Sequence, residues 1–259
     1  MSLYLSLDRT YSLSKLVLQP KGSVMCSYQL TTFTFGSQVL ELFCLQSAST
    51  DFDLTGQLVW PGATLLNDYL SRNAEMLQGC SVIELGSGVG VTGILCSRFC
   101  AEVVLTDHNE EVLKILKKNI GFHTSSGNAI SCAGLTAEKL EWGNSDQLNH
   151  ILQAHRGGFD LVLGADIYIQ ISFLFTFKAS NGYMRSSSIP LLFDTVEQLL
   201  RVRCEGKCRF ILAYVSRAKI MDTMVISEAV RHGLLINEVT GTRSMVKNLE
   251  GVIFEITLQ

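Results

Sequence analysis

The stretch that decides the fold is Ser81-Val-Ile-Glu-Leu-Gly-Ser-Gly-Val-Gly-Val-Thr-Gly93, in which a short apolar run passes directly into a series of glycines. Ser81 to Leu85 is typical of a buried strand, and Val89 to Phe99 predicts the helix that follows. Glycines between a strand and a helix let the backbone approach a bound ligand closely. The stretch therefore predicts a ligand site above the end of this strand.

Downstream of the glycines, short β-rich runs alternate with longer helical runs, which is typical of an α/β fold with helices on both faces of a parallel sheet. The predicted strands are 102–106, a strand near 129–133, 159–163, 209–215, 234–239 and 252–258, and the predicted helices are 110–120, 191–201 and 221–232. No helix-length segment separates the last two strands. They are expected to form a C-terminal antiparallel hairpin, which an all-parallel nucleotide fold would not need.

The composition predicts one domain with an extension. At 259 residues and 47% hydrophobic, the chain can bury one sizeable core. Residues 1–55 are expected to be an N-terminal extension packed on a domain of residues 56–259. The formal net charge is -3 and the sequence has no block of like charge, so no basic patch for binding nucleic acid is expected. No run reaches the roughly 18 apolar residues of a bilayer span, so no membrane partner is expected. We expect a monomer.

The eight cysteines are scattered, and most lie in apolar runs where a thiol behaves as a small core residue. They are interpreted as reduced, which predicts a cytoplasmic location with the nucleus as a second compartment. The pairs Cys96 with Cys100 and Cys204 with Cys208 lack the tight spacing and the nearby histidine of a zinc site. No metal site is predicted.

The glycine loop fits two cofactors. Gly88, Gly90 and Gly93 satisfy G-x-G-x-x-G, and Asp107 follows by about 20 residues, as a dinucleotide site requires. Glu84, however, would attract the cationic amino group and sulfonium of S-adenosylmethionine and repel a pyrophosphate. S-adenosylmethionine is therefore favoured over a nicotinamide cofactor. Asp107 is expected to accept hydrogen bonds from both ribose hydroxyls, with a helix N-cap as the alternative.

With Glu84 to Gly90, Asp107 and Leu140-Glu-Trp142-Gly, the chain resembles the class I methyltransferases. Within them it is similar to the small protein-lysine methyltransferases related to the calmodulin and valosin-containing-protein enzymes. Gly56-Gln-Leu-Val-Trp60-Pro resembles the tryptophan segment of that family, and Gly164-Ala-Asp166-Ile-Tyr168 is close to its Asp-x-x-Tyr motif. The resemblance implies a Rossmann-like, seven-stranded methyltransferase sheet.

The resemblance also implies roles for individual residues. Trp142 is expected to stack on adenine and Trp60 to cover the methionine end of the cofactor, with a plain core position as the alternative for each. Asp166 and Tyr168 are expected to orient the target amine and to accept or relay its proton. The predicted cofactor-binding residues are Trp60, Glu84, Gly86, Ser87, Gly88, Asp107, Trp142 and Ala165.

The sequence departs from the family pattern in two places. Tyr168 lies two residues after Asp166 where the family has three, and Ile169 occupies the expected tyrosine position. Residues 170–189 form an atypical insert at the carboxyl end of a predicted strand, beside the expected substrate cleft. The insert is either a substrate-recognition lid or a segment that obstructs the cleft.

The sequence thus predicts an S-adenosylmethionine-dependent methyltransferase that acts on a protein side chain, with lysine N-methylation foremost. The protein substrate itself is not identified by the sequence. The alternatives are a catalytically impaired, cofactor-binding scaffold protein, a small-molecule methyltransferase and an NAD-dependent oxidoreductase.

Overall fold

The computed structural model describes residues 28–46, 52–125, 134–167, 188–203 and 208–259. The strands are β1 (Gln29–Phe35), β2 (Gln38–Cys44), β3 (Ser81–Leu85), β4 (Glu102–Asp107), β5 (Gly134–Lys139), β6 (Leu161–Ala165), β7 (Arg209–Val215), β8 (Leu234–Glu238), β9 (Ser244–Val246) and β10 (Leu249–Leu258). The helices are α1 (Pro61–Arg72), α2 (Val91–Cys96), α3 (Glu110–Ser125), α4 (Ser145–Ala154), α5 (Ser188–Val202) and α6 (Lys219–Arg231).

The main sheet has the strand order β5-β4-β3-β6-β7-β10-β8, and β9 pairs with the first residues of β10. The five strands from β5 to β7 are parallel, whereas β10 runs antiparallel to both of its neighbours, β7 and β8. The predicted α/β sheet with a C-terminal antiparallel hairpin is confirmed. An all-parallel dinucleotide sheet has no such inserted strand.

Apolar side chains form a core on each face of the sheet. In β7, Phe210 and Leu212 face the core of α4, α5 and α6, whereas Ile211 and Ala213 face the core of α1, α2 and α3. This alternation follows from the two-residue period of a strand. Strands covered on both faces have continuous apolar sequences, which is why β3, β4 and β7 are recognisable in the sequence.

The strand beside β4 differs from its prediction. The predicted position near 129–133 lies outside the described residues, and the structure places the strand at Gly134–Lys139. This edge strand is only partly buried, so it lacks the apolar run that marks the central strands. Helices α1 and α4 were not predicted from the sequence. Of the insert at 170–189, only the last two residues are described, and they are the first two residues of α5.

Within residues 1–55, which are predicted to be an N-terminal extension, the structure describes an antiparallel hairpin of β1 and β2. This hairpin packs on the α1, α2 and α3 face through the fully buried Leu40 and Leu42. Asn119 of α3 forms hydrogen bonds with this hairpin. Its side-chain oxygen accepts from the Phe43 N–H at 2.8 Å, and its amide nitrogen donates to the Phe43 carbonyl at 3.0 Å and to the Val89 carbonyl at 2.9 Å. One side chain therefore joins the hairpin to the glycine loop.

No helix in these ranges is long and apolar enough to cross a membrane.

Candidate functional site

A cleft of about 760 Å³, including its open mouth, lies above the carboxyl ends of β3, β4 and β6. The strand order reverses between β3 and β6, and ligands bind at such a switch point in open α/β sheets. Nearly all of the predicted site residues line this cleft, namely Trp60, Glu84, Gly86, Ser87, Gly88, Asp107, Trp142, Ala165 and Asp166. Tyr168 lies outside the described residues, so its predicted role stays a prediction.

The floor of the cleft is bare backbone. Gly86, Gly88 and Gly90 have φ angles of 66°, 55° and 89°, which side chains of L residues rarely adopt. A Cβ atom on Gly88 would lie 2.6 Å from the backbone oxygen of Gly56, and one on Gly86 would lie 2.9 Å from the Ile167 side chain. Both the backbone conformation and the lack of space therefore require glycine at positions 86 and 88, which line the cleft.

Ser87 fixes the loop to the neighbouring strand. Its N–H donates to the Thr106 carbonyl at 2.8 Å, and its hydroxyl accepts from the Thr106 N–H at 3.0 Å and donates to the Glu84 carbonyl at 3.2 Å. The Ser87 side chain is therefore engaged by the protein itself.

Glu84 is a carboxyl group with only 3% of its surface exposed. It accepts from the Gly93 N–H at 3.1 Å. Burial raises the pKa of Glu84 to about 7, although the hydrogen bond from the Gly93 N–H opposes this rise. A cation bound in the cleft would favour the ionised form. The geometry thus suits the prediction that Glu84 attracts a positively charged group.

Asp107 ends β4 and closes the adjacent side of the cleft. One of its oxygens accepts from the Gly88 N–H at 3.2 Å, and the other accepts from the Asn109 N–H at 3.0 Å. Burial raises the pKa of Asp107. The first N–H groups of α3 are capped by the Asn109 side chain, which accepts from Glu111 and Val112. Asp107 is therefore not the cap of this helix, and its carboxylate retains lone pairs for ribose hydroxyls.

Two half-buried indoles flank the cleft. An edge atom of the Trp142 ring would lie 3.6 Å from a Cβ on Gly86, so this ring sits beside the glycine loop. Trp60 precedes α1, and its indole N–H donates to the Thr55 carbonyl at 2.9 Å. Neither tryptophan is a plain core residue, because both present part of their surface to the cleft.

Asp166 directly follows β6 and has a φ of 52°, which turns the chain at the strand end. Its side chain is 1% exposed. One oxygen accepts from the Gly62 N–H at 2.5 Å and from Arg217 Nη2 at 3.3 Å, and the other accepts from Arg217 Nη1 at 3.0 Å. The carboxylate that is predicted to orient the target amine is thus held in an ion pair within the protein.

Arg217, Gly62 and Asn109 were not among the predicted site residues. Arg217 lies two residues beyond β7, at the same sheet edge as the cleft, so its position after a strand is the signal that could have indicated it. Its partner Asp166 is remote in sequence, and nothing in either segment alone indicates the pair. Within the described ranges, no group of three or more His, Cys, Asp or Glu side chains is arranged to hold a metal ion.

The inserted antiparallel strand, the glycine floor and the carboxylates at the ends of β3 and β4 together define an S-adenosylmethionine-dependent methyltransferase of class I. Residues 44–223 match the family model described as lysine methyltransferase, and the chain belongs to this family. The predicted resemblance is confirmed.

Several relatives have been named. Protein N-lysine methyltransferase METTL21A of Mus musculus is 30% identical over 185 residues, which are 70% of this chain and 75% of the relative. Protein-lysine N-methyltransferase EFM3 of Chaetomium thermophilum is 27% identical, covering 73% of this chain and 54% of the relative. The calmodulin-lysine N-methyltransferase of Arabidopsis thaliana is 30% identical over 45% of this chain and 36% of its own length. Among solved structures, magnesium protoporphyrin IX methyltransferase from Synechocystis PCC 6803 with bound S-adenosylmethionine gives a TM-score of 0.48 at 15% identity, covering 82% of this chain and 86% of that one.

The cofactor of this family, S-adenosylmethionine, fits the residues of the cleft. Gly86 and Gly88 line the cleft without side chains, so a ligand can approach the backbone closely there. Glu84 suits the cationic groups, Asp107 suits the ribose, and Trp142 offers a flat surface to adenine. The nicotinamide alternative is wrong for this chain. When bound, the cofactor supplies an electrophilic methyl group.

Proposed function

We propose that the protein transfers a methyl group from S-adenosylmethionine to the side-chain amine of a lysine in another protein. The observation that carries this proposal is the match of residues 44–223 to the lysine methyltransferase family. The named relatives METTL21A and EFM3 are protein-lysine methyltransferases. The cofactor cleft of this chain lies within the matched residues.

The chemistry requires a neutral amine in line with the bond that breaks, so positioning and desolvation matter more than a strong base. The negative charge of Asp166 is balanced by Arg217, so an incoming ammonium gains little attraction from it. Removal from water beside the Trp60 indole favours the uncharged form of a lysine. The mouth of the cleft therefore suits a lysine that arrives as an ammonium and gives its proton to water before the neutral amine accepts the methyl group.

The test uses tritium-labelled S-adenosylmethionine and a protein extract from cells. Label should enter the protein fraction, and acid hydrolysis followed by mass spectrometry should find it in methyl-lysine. The Asp107→Ala variant is the control, and it should lose both the label and the rise in melting temperature that S-adenosylhomocysteine causes. NAD should cause no rise in either protein.

Other results would favour the remaining alternatives. Label confined to small molecules would indicate a small-molecule methyltransferase. Binding of S-adenosylhomocysteine without any transfer would support the scaffold protein, which the shifted Tyr168 motivates. We further propose a monomer in the cytoplasm, with the nucleus as a second compartment and no nucleic-acid partner, on the composition and charge alone.

A further inference from the structure

Arg217 joins two sides of the cleft mouth. Its guanidinium nitrogens contact both oxygens of Asp166, at 3.0 and 3.3 Å, and the centre of the guanidinium lies 5.7 Å from the centroid of the Trp60 ring. An arginine at this distance is attracted to the face of an indole, and its planar fork matches a carboxylate. One side chain therefore contacts the predicted catalytic carboxylate and a predicted cofactor-covering ring.

Asp166 also holds the start of α1. The residue before this helix, Trp60, caps it with no side-chain hydrogen bond, and the Gly62 N–H in the first turn donates to Asp166 instead. A carboxylate at the positive end of a helix is favourable. A Cβ on Gly62 would lie 2.7 Å from the Asp166 carboxyl carbon, so this approach depends on a glycine. Asp166 thereby fixes the backbone that carries Trp60.

The segment that carries Arg217 is itself anchored on two sides. The Ser216 N–H donates to the Glu250 carbonyl of β10 at 2.8 Å, and the Ser216 hydroxyl donates to Asp222 of α6 at 2.9 Å. The Tyr214 hydroxyl donates to the other oxygen of Asp222 at 2.5 Å. Arg217 is therefore presented to the cleft from a fixed base.

We propose that Arg217 and Asp166 are a positioning pair that holds Trp60 at the mouth of the cleft, and that Asp166 does not take a proton from the substrate. Three N–H donors already engage its two oxygens and its side chain is only 1% exposed, so a substrate amine has little access to the one lone pair that remains. The inference deepens the proposed function, since this mouth is where the target lysine would enter.

The first test is spectroscopic and needs no substrate. The chain has two tryptophans, Trp60 and Trp142, so Trp142→Phe leaves Trp60 as the sole indole. In this background, Arg217→Gln should increase the quenching of Trp60 fluorescence by acrylamide and lower its anisotropy. Arg217→Lys should restore part of the difference, because lysine keeps the charge without the planar fork. The control is Arg231→Gln, which removes an exposed arginine paired with Glu228 of the same helix and should change neither signal.

The second test separates positioning from proton transfer. Asp166→Asn and Arg217→Gln should each lower the initial rate of tritium incorporation into a cell protein extract, by about 100-fold for a misplaced site. The pH at which the rate reaches half its maximum should stay that of the wild type in both variants. If Asp166 were a general base, the midpoint of the pH profile would shift or disappear in Asp166→Asn and stay unchanged in Arg217→Gln.

An unchanged Trp60 signal in Arg217→Gln would overturn the proposal, and so would a shifted midpoint in Asp166→Asn. If Arg217→Gln unfolds because it leaves a buried carboxylate without its partner, the double variant with Asp166→Asn removes both charges and should fold, with Trp60 released in the same way. If the extract takes up no label even with wild-type protein, the proposed function fails, whereas the fluorescence still decides the role of Arg217.

Discussion

Glu84 is a buried carboxyl group whose ionisation is linked to the binding of a cation. Because its pKa is raised to about 7, the unliganded protein holds a proton there in mildly acidic solution. We expect the dissociation constant of S-adenosylmethionine to rise as the pH falls from about 8 to about 6, since bound cofactor requires the carboxylate. Calorimetry in buffers of different ionisation enthalpy should detect the release of a proton on binding.

The control for this prediction is Glu84→Gln, which should bind S-adenosylmethionine more weakly and lose the pH dependence of binding.

Glu84→Gln should also change the pH dependence of stability. A carboxyl pKa raised from 4.5 to about 7 by folding destabilises the native state progressively as the pH rises between these values. The advantage of Glu84→Gln in free energy of unfolding should therefore grow over that interval. Parallel pH curves for the two proteins would contradict both expectations.

Substitution of Gly88 tests whether cofactor binding depends on the glycines at the floor of the cleft. Gly88→Ala places a methyl group 2.6 Å from the Gly56 carbonyl oxygen on backbone with a φ of 55°, at a cost of about 1 to 3 kcal/mol for the backbone conformation. We expect a lower melting temperature and no further rise with S-adenosylhomocysteine. Gly121→Ala is the matched control, because a Cβ there meets no atom within 4 Å and alanine favours the helix by about 1 kcal/mol. An equal cofactor response in both variants would refute the role of the floor.

At this scale, the sequence predicted residues whose chemistry is local and left out those that depend on distant partners. Glu84, Gly86 and Asp107 lie at strand ends that the sequence already placed, and the structure brings them to one cleft. Arg217 could not be inferred in the same way. Its role depends on Asp166, which meets it only once β6 and β7 lie side by side.

Among the secondary-structure elements, α3 connects the N-terminal hairpin to the glycine loop through Asn119. Asn119→Ala would leave the N–H and carbonyl of Phe43 and the carbonyl of Val89 without this partner, which should cost about 3 kcal/mol. We expect weaker binding of S-adenosylhomocysteine as well, because Val89 belongs to the loop. Denaturant unfolding and calorimetry measure the two effects. Lys117→Ala, an exposed change on the same helix, should resemble the wild type, and a mild Asn119→Ala phenotype would refute the linkage.

Elements were predictable to the extent that burial shaped their sequence. The predicted ranges of β3 and β7 coincide with those observed, because both strands are covered on both faces. The edge strand β5 was predicted at the wrong position, because a strand with exposed residues has no strong apolar pattern in its sequence. The short α4 has only two buried residues, Leu148 and Ile151, and offered little periodicity to detect.

Over the whole molecule, the hairpin of β1 and β2 should unfold together with the main sheet. Its buried Leu40 and Leu42 belong to the same core as α1, α2 and α3, and Arg98 of the segment after α2 donates to the side chain of Gln38 and the carbonyl of Val39. Hydrogen exchange in increasing denaturant should give peptides of β2 and β3 a common opening free energy. A lower value for β2 would make the N-terminal extension a separate folding unit.

The position of β10 has a consequence for how the protein is made. This strand follows all the others in the chain yet lies between β7 and β8 in the sheet. A ribosome releases β7 and β8 before the strand that joins them, so the nascent chain carries an apolar open edge at β7 until β10 emerges. Open edges of this kind invite association with other chains. The two halves of the sheet can therefore be joined only after β10 has been made.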